Sequence, residues 1–400
     1  MSAPTLSTIP SLTLDDLRLE AKRLHRAHMA GEAEAIIRLR QHPPRRDPTQ
    51  FRRADFLHVI AQEQGFASWP ALKLAAETQG LDRAARVQRL KLALHQGQVR
   101  VAAHLLSETP DLAQGLFGLA CALYNRAEVA QMLAEDPARA TQPAGPRRPI
   151  LHLAFSRWLK QQPEREDDML AVAELLLAHG ADANDSYAET PGGAPLSALN
   201  GAIRADNMAL ARWLLEHGAT PDDGESLYHA TELGHHDGLR LLLDHGANPN
   251  GTNALLRAMD FNDHAAVELL LDHGARLSEP DDTIPALHHA ARRGCDRRMA
   301  DLLLDAGADA TREWQWTRPY AYARALGCTG LAAALEARGE ISPLSREEAL
   351  LARAAEGQAS PGDYIDPEAL PPAYRGLWRQ LAHRPERLEQ IRALVALGVP

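Results

Sequence analysis

Cysteine, lysine and any catalytic signature are all scarce in this chain. Its 400 residues include three cysteines, Cys121, Cys295 and Cys328. An odd, scattered set of this kind fits a reducing compartment better than a disulfide framework. With no acid–base partner placed near them by sequence, the cysteines read as small buried apolar residues. Only four of the 43 basic residues are lysine, the mark of a GC-rich bacterial genome. No apolar run approaches a membrane span, and Met1 to Pro10 lacks the charged-then-apolar order of a signal region. A cytoplasmic location is therefore expected. The formal net charge of −10 argues against a nucleic-acid or anionic-membrane surface, where basic patches supply affinity. HExxH, paired Cys-x-x-Cys, a Gly-Lys-Ser/Thr phosphate loop and a nucleophile elbow are all missing. No catalytic residue, cofactor or metal site is expected.

Two histidine pairs, His235-His236 and His288-His289, are the nearest approach to a metal motif. Adjacent side chains on a helix diverge by about 100°, so neither pair can chelate as an i, i+4 pair would. His217, His245 and His273 precede glycines that close helices, where a cationic residue suits the helix C-terminus.

What the chain has in abundance is one recurring word. It reads LLLAHGADAN at 175–184, WLLEHGATPD at 213–222, LLLDHGANPN at 241–250, LLLDHGARLS at 269–278 and LLLDAGADAT at 302–311. From Gly180 the glycines are spaced 38, 28, 28 and 33 residues apart, and Gly339 lies another 32 on. Such a period marks a solenoid, whose units bury their apolar faces only by stacking. Leu239, Leu241, Leu242 and Leu243 form the wide apolar stripe of a helix packed on two neighbours, and Gly246 stops it by taking the left-handed conformation. Upstream of each word lies a shorter helix, as in DTIPALHHAARRG at 282–294.

These residues resemble the ankyrin repeat family, whose unit is a β-turn, a short helix opening Thr-Pro-Leu-His, and a longer Leu-rich helix closing on Gly-Ala-Asp. The opening survives best at Pro285-Ala286-Leu287-His288, and Leu151-His152 and Leu287-His288 keep the leucine–histidine pair. The Leu-rich helix and its glycine are well kept over about 149–340. The resemblance implies that His288 hydrogen-bonds backbone of the neighbouring turn. Residues 89–114 and 115–141 repeat the rhythm with Pro110 and Asp136-Pro137 at the close.

The expected organisation is an all-α ankyrin-repeat solenoid with a helical cap at each end. A helical N-terminal cap spans 1–82, divergent repeats 83–145, the main array 146–340 and a C-terminal helical cap 341–400. Within the first cap, Gly65 ends one helix, Ser68 caps the next and Pro70 fits its first turn. Phe66 and Trp69 are then expected to cover the end of the first repeat. The arginine-rich stretch at 40–53 reads as a solvated loop. Stretches 155–168 and 186–197 lengthen two repeats at loops, where solenoids often carry function.

The resemblance also implies a binding face, lined by turn tips and the outward side of the short helices. By position the tips bring Tyr187, Glu189, Asp222, Asp223, Glu225, Asp281 and Asp282 to the rim, with Trp314 and Trp316 on the last finger. The short helices bring His229, Arg257, Phe261, Arg292, Arg293 and Tyr322 to the floor. Aromatics beside arginine are the usual material of hot spots. The alternative for the tryptophans is packing over the final repeat. The expectation is a monomeric, non-enzymatic protein-binding adaptor or inhibitor. The competing readings are an enzyme or toxin with its chemistry in the terminal segments, and a structural spacer within a larger assembly.

Overall fold

A computed structural model describes residues 13–43, 51–277, 283–382 and 384–400. Helix makes up 61% of the described residues, and the chain forms two compact units, Met1–Leu116 and Phe117–Pro400. The boundary falls inside the 83–145 segment. Half of the arginine-rich stretch at 40–53, residues 44–50, lies outside the described residues.

In the first unit, helix Leu14–Met29 opens on a capping box between Thr13 and Asp16, which satisfies two otherwise orphaned N–H groups. Its Leu17, Ala21 and Leu24 pack with Leu39, Phe56, Val59, Ile60 and Leu72 into one core. Arg38 ties three helices by bonding Glu20 at 2.9 Å and Glu63 at 2.6 Å. Ser68 caps helix Trp69–Thr78 with Pro70 in the first turn, as its residues predict. Phe66 and Trp69 pack against the core of this helical bundle. That corrects the expectation that they cover the end of a repeat: the bundle offers its own apolar surface, closer in sequence. Helices Arg83–Gln96 and Val99–Glu108, joined at Gly97 with φ of 70°, complete the unit.

The second unit is a series of helix pairs, each a short helix followed by a longer one. The pairs are Phe117–Ala122 with Arg126–Glu135, Pro149–Ala154 with Glu166–Ala178, Ala198–Arg204 with Met208–Glu216, Ser226–Glu232 with His236–Asp244, Ala254–Asp260 with His264–Asp272, Ala286–Arg293 with Arg297–Asp305, and Pro319–Leu326 with Thr329–Ala337. Short helices pack on short helices and long on long. Leu239, Leu241, Leu242 and Leu243 are all buried, because a helix between two neighbours has little outer face. Gly246 has φ of +88°, a conformation that costs an L-residue energy and glycine almost none. The histidines before these glycines act locally. His179, His217, His245 and His273 each place Nδ1 2.7–2.8 Å from the carbonyl four residues back, so a neutral ring already suffices.

Asparagine stitches successive turns together four residues after the closing glycine. Asn184 Nδ2 donates to Gly218 O at 2.9 Å and its Oδ1 accepts from Thr220 N at 2.8 Å. Asn250 repeats both bonds with Gly274 O at 3.0 Å and Arg276 N at 2.7 Å.

The 155–168 stretch folds back onto the preceding pair. Ser156 Oγ donates to Ala122 O at 2.6 Å, Tyr124 O–H donates to Ser156 O at 3.2 Å, and Trp158 is buried. The 186–197 stretch is a finger of two antiparallel strands, Ser186–Ala188 and Pro195–Ser197, with Tyr187 opposite Leu196.

Beyond Ala337, helix Arg346–Ala355 continues the stack, and helices Leu377–Leu381 and Leu388–Ala396 close it. The closing segment reaches back along the array. Arg384 Nη2 donates to Arg292 O at 2.8 Å, Arg387 Nη2 to Gly327 O at 2.7 Å and Gln390 Nε2 to Ala325 O at 3.0 Å. Gly294 and Gly327 seat those two guanidinium groups: a Cβ at either would stand 2.6 Å or 2.5 Å from an arginine nitrogen.

Candidate functional site

The short helices carry a chain of charges across three pairs. His229 lies 3.3 Å from Glu225 and 2.9 Å from Glu232. Arg257 bonds Glu232 at 2.5 Å and Asp260 at 3.1 Å, and its guanidinium covers the rings of Tyr228 and Phe261 at 5.5 and 4.8 Å. Asp260 in turn receives His289 at 2.7 Å and Arg293 at 2.6 Å. Burial lifts the Asp260 carboxyl, but the bond and charge of His289, then Arg293, outweigh it and hold the group below its ordinary range. Burial likewise lifts Glu232 and the bonds from Arg257 and His229 bring it down. The floor residues His229, Arg257 and Arg293 are thus brought together as one network. Arg257 and Arg293 each already have an acidic partner. Phe261 stands out from the floor, 53% exposed. Arg292, next to Arg293 in sequence, is half-buried, its Nη2 3.4 Å from His289 Nδ1.

The last finger divides the two tryptophans. Trp314 and Thr317 exchange both backbone hydrogen bonds, at 2.9 and 3.0 Å. They close a hairpin whose two loop residues, Gln315 and Trp316, have φ of +46° and +64°. That conformation normally selects Asn-Gly, because a bulky side chain there crowds its own backbone. Trp314 is half-buried and packs on His288 at 5.7 Å and Tyr322 at 5.9 Å. Trp316 is 74% exposed.

Several rim and floor expectations are corrected by this arrangement. Tyr322 does not line the floor: it is fully buried, stacked on Tyr374 at 5.9 Å, with its hydroxyl donating to Gln380 at 3.1 Å. The closing segment occupies the space where a partner would meet it. Trp314 belongs to the same packed cluster. Asp223 is no free rim charge, since it accepts from Ser197 Oγ of the preceding finger and from Ser226 N at 2.7 Å, capping the short helix. Asp222 is exposed but accepts from Asn248 N at 2.7 Å in the next turn. Glu225 is half-buried against His229. Asp281 and Asp282 lie outside the described residues.

On the first finger, Tyr187 is half-buried and donates its hydroxyl to Glu189 at 3.1 Å. Its ring meets Phe155 edge-on at 5.3 Å and lies under Arg147 at 4.1 Å. Burial first, then Glu189, push the Tyr187 phenol up to about 12 against the pull of Arg147 and Arg204. Arg147, Phe155 and Arg157 carry no local motif. Arg147 and Phe155 reach this finger from the repeat before it, and only the register of stacked units brings them there.

His288 donates Nε2–H to Thr317 O at 3.1 Å, so it does bond the neighbouring turn. Burial brings its pKa down to about 4. Cys121, Cys295 and Cys328 are buried, and burial raises all three thiols, Cys295 to about 12. Among the described residues no group of three or more His, Cys, Asp or Glu is placed to hold a metal ion, and no helix is long and apolar enough to cross a membrane.

Residues 164–253 and 246–313 match the family described as ankyrin repeats in three copies. Among solved structures, the ankyrin repeat domain of human ASB11 aligns over 58% of this chain and 100% of its own, at 19% identity and a TM-score of 0.42. An ankyrin repeat domain from Acinetobacter baumannii AYE covers 48% of this chain and 97% of itself, at 22% identity and a TM-score of 0.39. The ankyrin repeat protein EF0377 covers 44% and 96%, at 24% identity and a TM-score of 0.36. No curated protein matches the chain.

Proposed function

Because this chain is an ankyrin repeat protein, with its repeats matched across residues 164–313, we propose that it is a non-enzymatic adaptor or inhibitor that docks one protein partner on the concave face built by its fingers and short helices. Ankyrin repeats are in general protein–protein interaction modules. The observation that carries the reading is Trp316. A hairpin tip that would be relaxed with glycine instead carries an indole, 74% exposed and at a left-handed φ. Strain of this kind costs about 1–3 kcal/mol and clusters at sites of function. An exposed tryptophan is also the commonest hot-spot residue. Phe261, exposed beside the arginines of the floor, is the second anchor.

Trp316→Gly separates folding from binding. It should stabilise the protein, by about 1 kcal/mol from relief of the turn, while weakening partner binding at least tenfold. A photo-crosslinking phenylalanine placed at 261 or at 316 should capture the same protein in cells. One at Glu268, an exposed position on a long helix, should not. Equal capture from all three positions, or a Trp316→Gly protein that is less stable and binds normally, would overturn the reading.

A further inference from the structure

Three repeats turn from short helix to long helix on a glycine, and in two of them a guanidinium lies over it. The turning residue is left-handed at Tyr124, Asp206, Gly234, Asn262, Gly294 and Gly327, with φ between 53° and 68°. Tyrosine, aspartate and asparagine all serve there, so the turn itself does not require glycine. What glycine adds is room. A Cβ at Gly294 or Gly327 would run into Arg384 or Arg387, whereas one at Gly234 would meet nothing within 4 Å.

The three glycine turns are otherwise built alike. Each glycine N–H bonds the carbonyl three residues back, at 3.3 Å for Gly234 and 3.1 Å for both Gly294 and Gly327. The next N–H bonds the carbonyl five residues back, at 2.9, 3.0 and 2.9 Å. This pattern leaves the carbonyl two residues before the glycine without a backbone donor. Arg384 meets that carbonyl at Arg292 O and Gln390 meets it at Ala325 O. Arg387 takes Gly327 O, which also accepts from Thr329 N at 3.1 Å. At the open turn the equivalent atoms are Glu232 O, which no donor meets among the described residues, and Gly234 O, which accepts from His236 N at 3.2 Å. Arg384 is seated although Arg292 and Arg293 precede its glycine; before Gly234 those places are held by Glu232 and Leu233, which repel a guanidinium less. Leu233 is 44% exposed and offers its surface to an arginine stem. The histidines after Gly234 have carboxylates of their own, His235 Nδ1 at 3.4 Å from Asp206 and His236 Nε2 at 2.7 Å from Asp263.

We propose that Gly234 is the seat for an arginine side chain of the partner protein, whose guanidinium lies over the glycine and donates to Glu232 O and Gly234 O while its stem lies on Leu233. The seat rests on the reading that the short-helix face docks a protein partner, and it names one side chain of that partner.

The test uses the full chain labelled with nitrogen-15 at glycine and titrated with N-acetylarginine amide, with the lysine and citrulline analogues as controls. Gly234→Asn identifies the Gly234 signal by its loss. It also fills the seat while keeping the turn, since Asn262 holds the same conformation in the next repeat. The arginine derivative should move the Gly234 signal to saturation. The lysine analogue should bind at least about fivefold more weakly, because an ammonium lacks the fork that spans two carbonyls, and uncharged citrulline should not bind. The signals of Gly294 and Gly327, each already under an arginine, should stay in place. An unmoved Gly234 signal, equal binding of the lysine analogue, or movement of Gly294 and Gly327 instead of Gly234 would each overturn the seat. In the full chain, Gly234→Asn should weaken binding of the protein captured at 261 and 316 about tenfold, the effect of losing a charge-assisted contact, with thermal unfolding little changed. Capture at 261 and 316 of a protein whose binding ignores Gly234→Asn would overturn the seat alone. Arginine binding at Gly234 without capture at 261 or 316 would overturn the tryptophan reading alone.

Discussion

His288 and Asn200 are each the third residue of a short helix, and each is fully buried. His288 finds Thr317 O through Nε2, while its Nδ1 has no partner among the described residues. Asn200 has none for either amide atom. For His288 the consequence is a pH dependence. Its folded pKa lies near 4, below the ordinary 6.5, so the folded protein keeps the ring neutral while the unfolded chain takes up a proton. Stability from this group is whole above about pH 6.5 and is lost as pH falls toward 4, by about 3 kcal/mol at most. Urea unfolding at pH 7 and pH 4.5 should show that loss in the wild type and a smaller one in His288→Gln. Carboxylates such as Asp260 and Asp296 titrate alike in both proteins, so the difference between them isolates the histidine. The leucine–histidine pair at 287–288 is legible in sequence, and so is its bond to the next turn. The cost of burying it is not, because that cost is set by Trp314 and Tyr322 packing around it from 26 and 34 residues away.

The turns between repeats form the next level. Asn184 and Asn250 each make two bonds to the following turn, one donated and one accepted. Asp222 holds the same place but can only accept, from Asn248 N, and leaves Gly246 O without the N–H that an amide would bring. Asp222→Asn should therefore raise the urea midpoint, by about 1 kcal/mol in unfolding free energy. A lower midpoint would mean that the carboxylate stabilises the turn in another way. The recurring glycines, the leucine helices and the finger loops are readable from spacing alone, since each depends on residues near in sequence. The division of labour among the acidic tips is not. Asp223 looks like a rim charge until Ser197, 26 residues earlier, is placed against it. The same holds for the tryptophans: EWQWT says that the two alternate, but the hairpin decides which one faces out.

At the scale of the whole chain, the repeat region is legible over its length and the closing segment is not. Residues 341–400 read as a helical cap, and Gly398 follows its last helix with φ of 84°. Their polar side chains, however, run backwards. Arg384 reaches Arg292 O and Arg387 reaches Gly327 O, in two successive repeats, and Gln390 reaches Ala325 O. Those contacts span a fixed interval along the array and make the segment a gauge of how many units lie between its anchor points. A duplicate of residues 219–246 inserted after Gly246 leaves that interval unchanged, and amide exchange in 377–400 should stay as slow as in the parent. The same duplicate inserted after Gly307 parts Arg384 from its carbonyl, and exchange in 377–400 should quicken. Copy number is thus free to drift upstream of Gly294, while the last two repeats are inherited together with the segment that clasps them.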